Sequence, residues 1–267
     1  SAKGPVGAVR NLGLAEAKGE LIAFIDADCV APKNWLSIGA KLLLENENCA
    51  FSGRYIADES SKWIEKLWLL GYQSKRFEST DFLGGCIFVR RSDIQRIGGF
   101  NENITSGEDT KLAMDLRSAG GINTIIDQSL NVIHLGNAKG AVDFIKRQAW
   151  HSENYIKNIK SSIKDPTFIL TLVFTLTLVI SAAIPIMLGS FSKGTILFPL
   201  TAFSCPALLS AKRIIRSKFR TKKLNLLIKI YIIDFCYLVG RSIGLLKGIL
   251  CLSKNKRLNN PDQASVS

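Results

Sequence analysis

Leu21-Ile22-Ala23-Phe24-Ile25-Asp26-Ala27-Asp28-Cys29 is the stretch whose reading decides the fold. Five apolar residues run together between Gly19-Glu20 and an acidic segment. A short unbroken run of this kind predicts a buried strand of a parallel sheet. In a strand, residues i and i+2 point the same way. Asp26 and Asp28 can therefore converge on one cation at the carboxyl end of the sheet, where α/β folds bind ligands. Oxygen ligation suits Mg²⁺ or Mn²⁺, which would neutralise phosphate groups. The same carboxylates could instead cap a helix or line a solvated turn before Pro32.

Outward from this strand the pattern alternates. Before it, Pro5 opens a helix over residues 5–19, with Val6, Val9, Leu12 and Leu14 at roughly helical spacing and Gly19 at its end. After it, Pro32 and Trp35 open a helix to about Leu44, and Ala50–Ile56 reads as a second strand. Residues 61–77 are aromatic-rich and read as helix, and Phe82–Val89, with Gly84-Gly85, reads as a third strand. Helices over Arg91–Ile97 and Glu108–Ala119 each stop at a Gly-Gly pair, and short strands follow at Thr124–Ile126 and Asn131–His134. Strands alternating with helices predict an α/β domain with a mainly parallel, Rossmann-like sheet over residues 1–165.

The remainder has a different character. The chain of 267 residues is 47% hydrophobic and carries a formal charge of +13, with a mean hydropathy of +0.16. Residues 1–165 account for only +1 of that charge, and residues 166–267 for +12. Such a composition excludes a disordered or collagen-like chain. Basic residues beside apolar runs favour a membrane surface over nucleic acid as the partner. Thr167–Gly189 holds 23 residues without a charge, and Thr195–Ala211 holds 17. Together they predict a transmembrane hairpin over 166–211. Residues 212–223 then carry seven positive charges. Leu224–Leu252 is apolar but contains Lys229, Asp234, Arg241 and Lys247. That mixture predicts a helix lying in the interface, with a third crossing as the alternative. The polar tail, 253–267, reads as disordered. Positive charges at 157, 160 and 164, and again over 212–223, predict that residues 1–165 and the C-terminus lie on the cytoplasmic side of a multi-pass membrane protein. The six cysteines show no CxxC spacing, so neither a disulfide framework nor a zinc site is expected.

Gly107-Glu108-Asp109 supplies a second acidic pair at a helix start. Carboxylates there can simply complement the helix dipole. Near a metal–phosphate site, one of them could also act as general base on an acceptor hydroxyl. The segments VRNLGLAEAKGELIAFIDADC, FLGGCIFVRR and GGFNENITSGEDTKL follow one another in order. In this the chain resembles the family 2 glycosyltransferases of GT-A fold, particularly membrane-attached bacterial enzymes of polysaccharide or glycolipid synthesis. The resemblance covers about residues 4–155.

It implies a nucleotide-sugar donor, a glycan or lipid-linked hydroxyl acceptor, a divalent metal and inverting chemistry. It implies that Asp28 binds the metal and that Asp26 lies nearer the ribose or the metal shell. Gly84 and Gly85 would line the donor-sugar and acceptor pocket. Asp109, beside Glu108, would be the catalytic base. His134 could join the metal or the diphosphate, or be a structural histidine. Lys146–Trp150 lies where processive relatives carry QxxRW, but without that spacing; Arg147 could still pair with diphosphate and Trp150 could stack on a sugar. Lys111 and Asp115 depart from the family pattern. The resemblance also implies a preceding strand–helix–strand segment of roughly 60–90 residues.

Other classes compete. Asp26-Ala27-Asp28-Cys29-Val30 fits the nucleophile motif of a haloacid-dehalogenase-like phosphatase, yet no convincing lysine motif lies between Asp28 and Glu108. A truncated, non-catalytic membrane fragment is the remaining alternative.

Overall fold

The computed structural model describes residues 4–70, 82–104, 106–153, 155–156, 159–188, 193–217, 221 and 223–258. The chain forms two compact units, Ser1–Asn137 and Ala138–Ser267.

The first unit contains strands β1 (Leu21–Ile25), β2 (Cys29–Val30), β3 (Cys49–Ser52), β4 (Tyr55–Ile56), β5 (Cys86–Arg90), β6 (Asn123–Ile126) and β7 (Val132–His134). Its helices are α1 (Val6–Glu16), α2 (Trp35–Glu45), α3 (Trp63–Leu69), α4 (Arg91–Arg96) and α5 (Glu108–Ser118). Four strands form one sheet in the order β1-β5-β3-β6, and three form another in the order β2-β7-β4.

The expected mainly parallel sheet is corrected to a mixed one. β1 and β3 both run antiparallel to β5, and only β3–β6 and β4–β7 are parallel. An apolar run reports burial on both faces but carries no direction. Nor is β1 the fully buried strand its composition suggests, since only Ile22 is buried. That place belongs to β5, whose alternating side chains feed two cores. Ile87 and Val89 pack with Leu14, Ile22, Ile94, Leu112 and Leu116 on one face. Cys86 and Phe88 pack with Trp35, Leu43, Phe51, Leu130 and Val132 on the other.

The single strand expected over Ala50–Ile56 divides between the two sheets. A Cβ at Gly53 would collide with the backbone carbonyl of Leu130, so the chain bends there at a residue with no side chain. Trp35 Nε1 donates to that same Leu130 carbonyl at 3.1 Å. The helix expected over 61–77 appears as α3, and residues 71–81 lie outside the described part.

The second unit holds α6 (Ala141–Ser152), α7 (Ile159–Ser162), α8 (Pro166–Leu188), α9 (Lys193–Ser217) and α10 (Leu224–Leu258). No helix among the described residues is long and apolar enough to cross a membrane. The segments expected to form a transmembrane hairpin over 166–211 fall on α8 and α9, and residues 189–192 between them lie outside the described part. α8 mixes Thr171, Thr175, Thr177 and Ser181 into its apolar sequence. α9 includes Lys212 and Arg213, and α10 includes Lys229, Asp234, Arg241 and Lys247.

The polar groups of these helices find partners inside the unit. Asp234 is fully buried. It accepts from Arg213 Nη2 at 2.6 Å and from Ser210 Oγ at 3.0 Å, tying α9 to α10. Thr175 Oγ1 donates to Ser242 Oγ at 2.7 Å between α8 and α10. Against α6, α10 presents Gly240, Gly244 and Gly248. A Cβ on these would meet the carbonyls of Ile145, Ala149 and Glu153 respectively. Backbone thus lies on backbone, and Ser152 Oγ donates to the Arg241 carbonyl at 3.0 Å. α10 continues through Leu258, into the segment the sequence marks as tail.

Candidate active site

The acidic segment after β1 is a turn, not a continued strand. Cys29 N donates to the Asp26 carbonyl at 3.0 Å, and Cys29-Val30 then pairs with β7 in the second sheet. The i, i+2 alternation of a strand does not hold across this turn, and Asp26 and Asp28 engage different partners.

Asp28 stands beside His134. Its Oδ2 is 3.5 Å from His134 Nε2, with the carboxylate about half exposed and the imidazole buried. Register places Cys29 opposite His134. One ligand atom from each of Asp28, Cys29 and His134 falls within 4.8 Å of the others, a group that could hold a metal ion. Leu135 N fixes the Asp28 carbonyl at 2.8 Å. A Cβ at Gly136 would collide with Asp28 Oδ2, so only glycine leaves room for this carboxylate. Burial first, then the charges of Asp26 and Asp28, push the Cys29 thiol up to about 12. The carboxylate of Asp28 and the imidazole of His134 supply an oxygen and a nitrogen donor beside it. One oxygen and one nitrogen donor, with an open outer side, fit Mn²⁺ completed by phosphate oxygens and water.

Asp26 turns the other way. Its Oδ1 accepts from Arg10 Nη2 at 2.7 Å, while Arg10 Nη1 donates to Glu108 Oε1 at 2.6 Å. Burial works against the guanidinium's charge. The hydrogen bond and charge of Asp26, with the charges of Glu108 and Asp109, outweigh it and hold Arg10 above its ordinary value. The guanidinium also lies over the Phe100 ring, 5.4 Å from its centroid.

Asp109 is the second residue of α5, after Glu108 and the N-cap Gly107, whose φ of 84° is left-handed. Its Oδ2 accepts from Gly84 N at 2.8 Å and its Oδ1 from Thr110 N at 2.7 Å. Burial first, then the charge of Glu108, raises this carboxyl to about 6; the two backbone donors and Arg10 pull the other way. An acid of that strength is ionised at neutral pH yet basic enough to take a proton.

Gly84 and Gly85 link the two halves. Gly84 donates to Asp109, and Gly85 N donates to the Tyr55 hydroxyl at 2.9 Å. A Cβ at Gly84 would come 2.6 Å from Arg10 Nη2, and one at Gly85 would come 2.8 Å from Cys29 Sγ. The Tyr55 ring lies 4.4 Å from the His134 ring. Burial above all raises the Tyr55 phenol, which keeps it protonated.

Of the residues singled out from sequence, Asp26, Asp28, Gly84, Gly85, Glu108, Asp109 and His134 lie in the first unit and form this connected site. Arg147 and Trp150 belong to α6 of the second unit. Trp150 is exposed, and its ring lies at a tilt to that of His151, 4.8 Å between centroids. Burial, with the charges of Arg241 and Arg147, lowers His151 to about 4. Lys111 and Asp115, the departures from the family pattern, form an ion pair with each other along α5. Sequence reasoning missed Arg10, Cys29 and Tyr55. No spacing rule marks an arginine on one helix as the partner of acids 16 and 98 residues away. Arg10 does stand in the quoted segment beside Asn11, and that adjacency was the available signal.

The mixed sheet, the metal-capable group after β1 and the acidic pair opening α5 define a GT-A-like α/β domain. Residues 3–98 match the family model for glycosyl transferase family 2. A mannosyltransferase from Pyrobaculum calidifontis, solved in complex with GDP-Man and Mn²⁺, is similar in structure with a TM-score of 0.50 and 18% identity. That likeness covers 92% of this chain and 68% of the other. No curated protein matches the chain. The likeness to glycosyl transferase family 2 lies in residues 3–98, within the first unit, and the likeness to the mannosyltransferase is one of fold.

Proposed function

We propose that the protein transfers a sugar from a nucleoside-diphosphate sugar to a hydroxyl of a glycan or lipid-linked acceptor, with inversion, using Asp109 as base. The observation that carries this reading is the Asp109 carboxylate. It is pinned by the Gly84 amide and raised to about 6. Through Arg10 its neighbour Glu108 is joined to the acidic segment after β1.

In the step, the acceptor oxygen bonds to the anomeric carbon while its proton passes to Asp109 Oδ. The bond from that carbon to the diphosphate breaks, and the nucleoside diphosphate leaves with the electron pair. Glu108 is held by Arg10 beside the base. Asp28 and His134 would hold a divalent cation, Mn²⁺ or Mg²⁺, which supplies charge neutralisation to the diphosphate. Gly84 and Gly85 fix the loop beside the sugar. The Mn²⁺ and GDP-Man of the similar mannosyltransferase support this assignment.

The proposal includes a bacterial polysaccharide or glycolipid role at the cytoplasmic face of the inner membrane. The seven positive charges over 212–223 would rest on anionic headgroups.

Calorimetry tests the metal half. GDP should bind the full chain more tightly with Mn²⁺ than without it, and Asp28→Asn should lose at least about tenfold of that gain. Equal binding with and without Mn²⁺ refutes the metal assignment. Failure of the full chain to release nucleoside diphosphate from any UDP- or GDP-sugar refutes the transfer assignment.

A further inference from the structure

Among the described residues, Arg10 touches both acidic motifs of the site with its side chain, and no motif of the sequence assigned it a role. It projects from α1, a helix that otherwise packs Gly7 and Leu14 into the unit. Its two terminal nitrogens divide between Glu108 and Asp26, at 2.6 and 2.7 Å. Only about a tenth of its side chain is exposed, and the same holds for Glu108. The guanidinium packs flat enough against Gly84 that a Cβ there would touch it. Gly84 in turn donates its amide to Asp109. One cation therefore borders every part of the site on the α5 side: the turn after β1, the glycine loop and the carboxylate pair.

The next residue extends the same device. Asn11 Nδ2 donates to the Phe100 carbonyl at 2.9 Å, and Asn11 Oδ1 accepts from Phe100 N at 2.8 Å. The Phe100 ring lies under Arg10. Adjacent residues of α1 thus hold the start of the segment leading to α5 and its end.

A bland ion pair would need only one carboxylate. Here three carboxylates, Asp26, Glu108 and Asp109, share the field of one guanidinium. A planar fork can grip two of them at a fixed separation, whereas an ammonium is a single point charge. We propose that Arg10 is the positioning residue of the transfer site, setting the distance between the acidic turn after β1 and the base on α5. This rests on Asp109 being the base, as argued above.

The test is a carboxyl titration by NMR on the full chain carrying ¹³Cγ-labelled aspartate. The charged groups facing Asp109 are Glu108 and Arg10, with the neutral Tyr55 phenol also in its field. Asp109, identified by the signal lost in Asp109→Asn, titrates near 6 in the unaltered protein. Arg10→Met removes the attracting charge and should move that midpoint up by at least about half a unit, whereas Glu108→Gln should move it down. Arg10→Lys keeps the charge, so its midpoint stays within a few tenths of the original. With GDP-mannose and Mn²⁺ as probe, Arg10→Lys should release GDP at least about tenfold more slowly at an unchanged KM. An Asp109 midpoint unmoved in Arg10→Met overturns the proposal, as does full turnover in Arg10→Lys. If Arg10→Met does not fold, Arg10→Lys and Glu108→Gln decide it. Full activity of Asp109→Asn would instead refute the base assignment, with the Arg10 titration result standing apart from it.

Discussion

Replacing Asp109 by Asn should separate activity from stability in a pH-dependent way. Asn keeps an oxygen to accept the Gly84 amide, so the loop stays in place while the proton acceptor is lost. Transfer should fall about 10²- to 10⁴-fold with donor affinity retained. In the unaltered enzyme the rate should follow ionisation of a group titrating at about 6. Near pH 5 only about a tenth of such a group is ionised, so the rate drops roughly tenfold below its plateau; an ordinary aspartate near 3.9 would remain more than about nine-tenths ionised.

The stability effect has the opposite sense. The folded-state pKa lies above the unfolded value, so ionising Asp109 costs more in the fold than in the unfolded chain. The contribution of Asp109 to stability is therefore fully present below about pH 4, is lost as pH rises through the interval from about 4 to about 6, and is level above it. The full interval corresponds to at most about 3 kcal/mol, reduced because the residue is only half-buried. Asp109→Asn should consequently melt at a higher temperature than the unaltered chain at pH 8, with little difference at pH 4. Rate profiles from pH 4.5 to 8.5 and thermal melts at both ends test this. A rate flat down to pH 5, or an Asn variant that is less stable at pH 8, would refute the argument from desolvation.

Two predictions concern the second unit. Gly244→Ala pushes a methyl into the Ala149 carbonyl and Ser152 Oγ, and should cost about 1–3 kcal/mol, read as a lower midpoint in urea; an unchanged midpoint would show that α6 and α10 do not pack there. Asp234→Ala leaves the Arg213 guanidinium without its carboxylate and should cost about 3–5 kcal/mol, whereas the double variant Asp234→Leu/Arg213→Met should recover much of that loss. A single variant as stable as the parent would refute burial of the pair.

The helices and strands flanking Asp26 were legible because their apolar residues follow one period each. α1, β1, α2 and α5 fall within a few residues of where capping and spacing put them. Strand direction was not legible, because β1 and β5 meet across 60 intervening residues and pairing sense leaves no mark in either segment. The break at Gly53 was hidden for a related reason: the Leu130 backbone that requires it lies far along the chain. At the site, residue types pointed to the acids, and the resemblance gave them roles. Their separation into an Arg10-bound Asp26 and a His134-facing Asp28 depends on the turn at Ala27, which the alternation rule for strands does not describe. The helices of the second half carry hydroxyls and charges whose partners the sequence does not name. Their hydroxyls and paired ions, such as Thr175–Ser242 and Arg213–Asp234, appear only when the helices are seen together.

The three glycines of α10 restrict which insertions and deletions the gene can tolerate. Gly240, Gly244 and Gly248 are four residues apart and meet the carbonyls of Ile145, Ala149 and Glu153, also four apart. The two helices are in effect threaded like screw and nut, with a whole turn as the smallest step. One residue added between Gly240 and Gly244 rotates everything beyond it by about 100° and turns the later glycines off the shared face. Four residues added at once would nearly restore the thread. Length variation among natural versions of this chain should therefore avoid residues 240–248 and collect in the connections between helices.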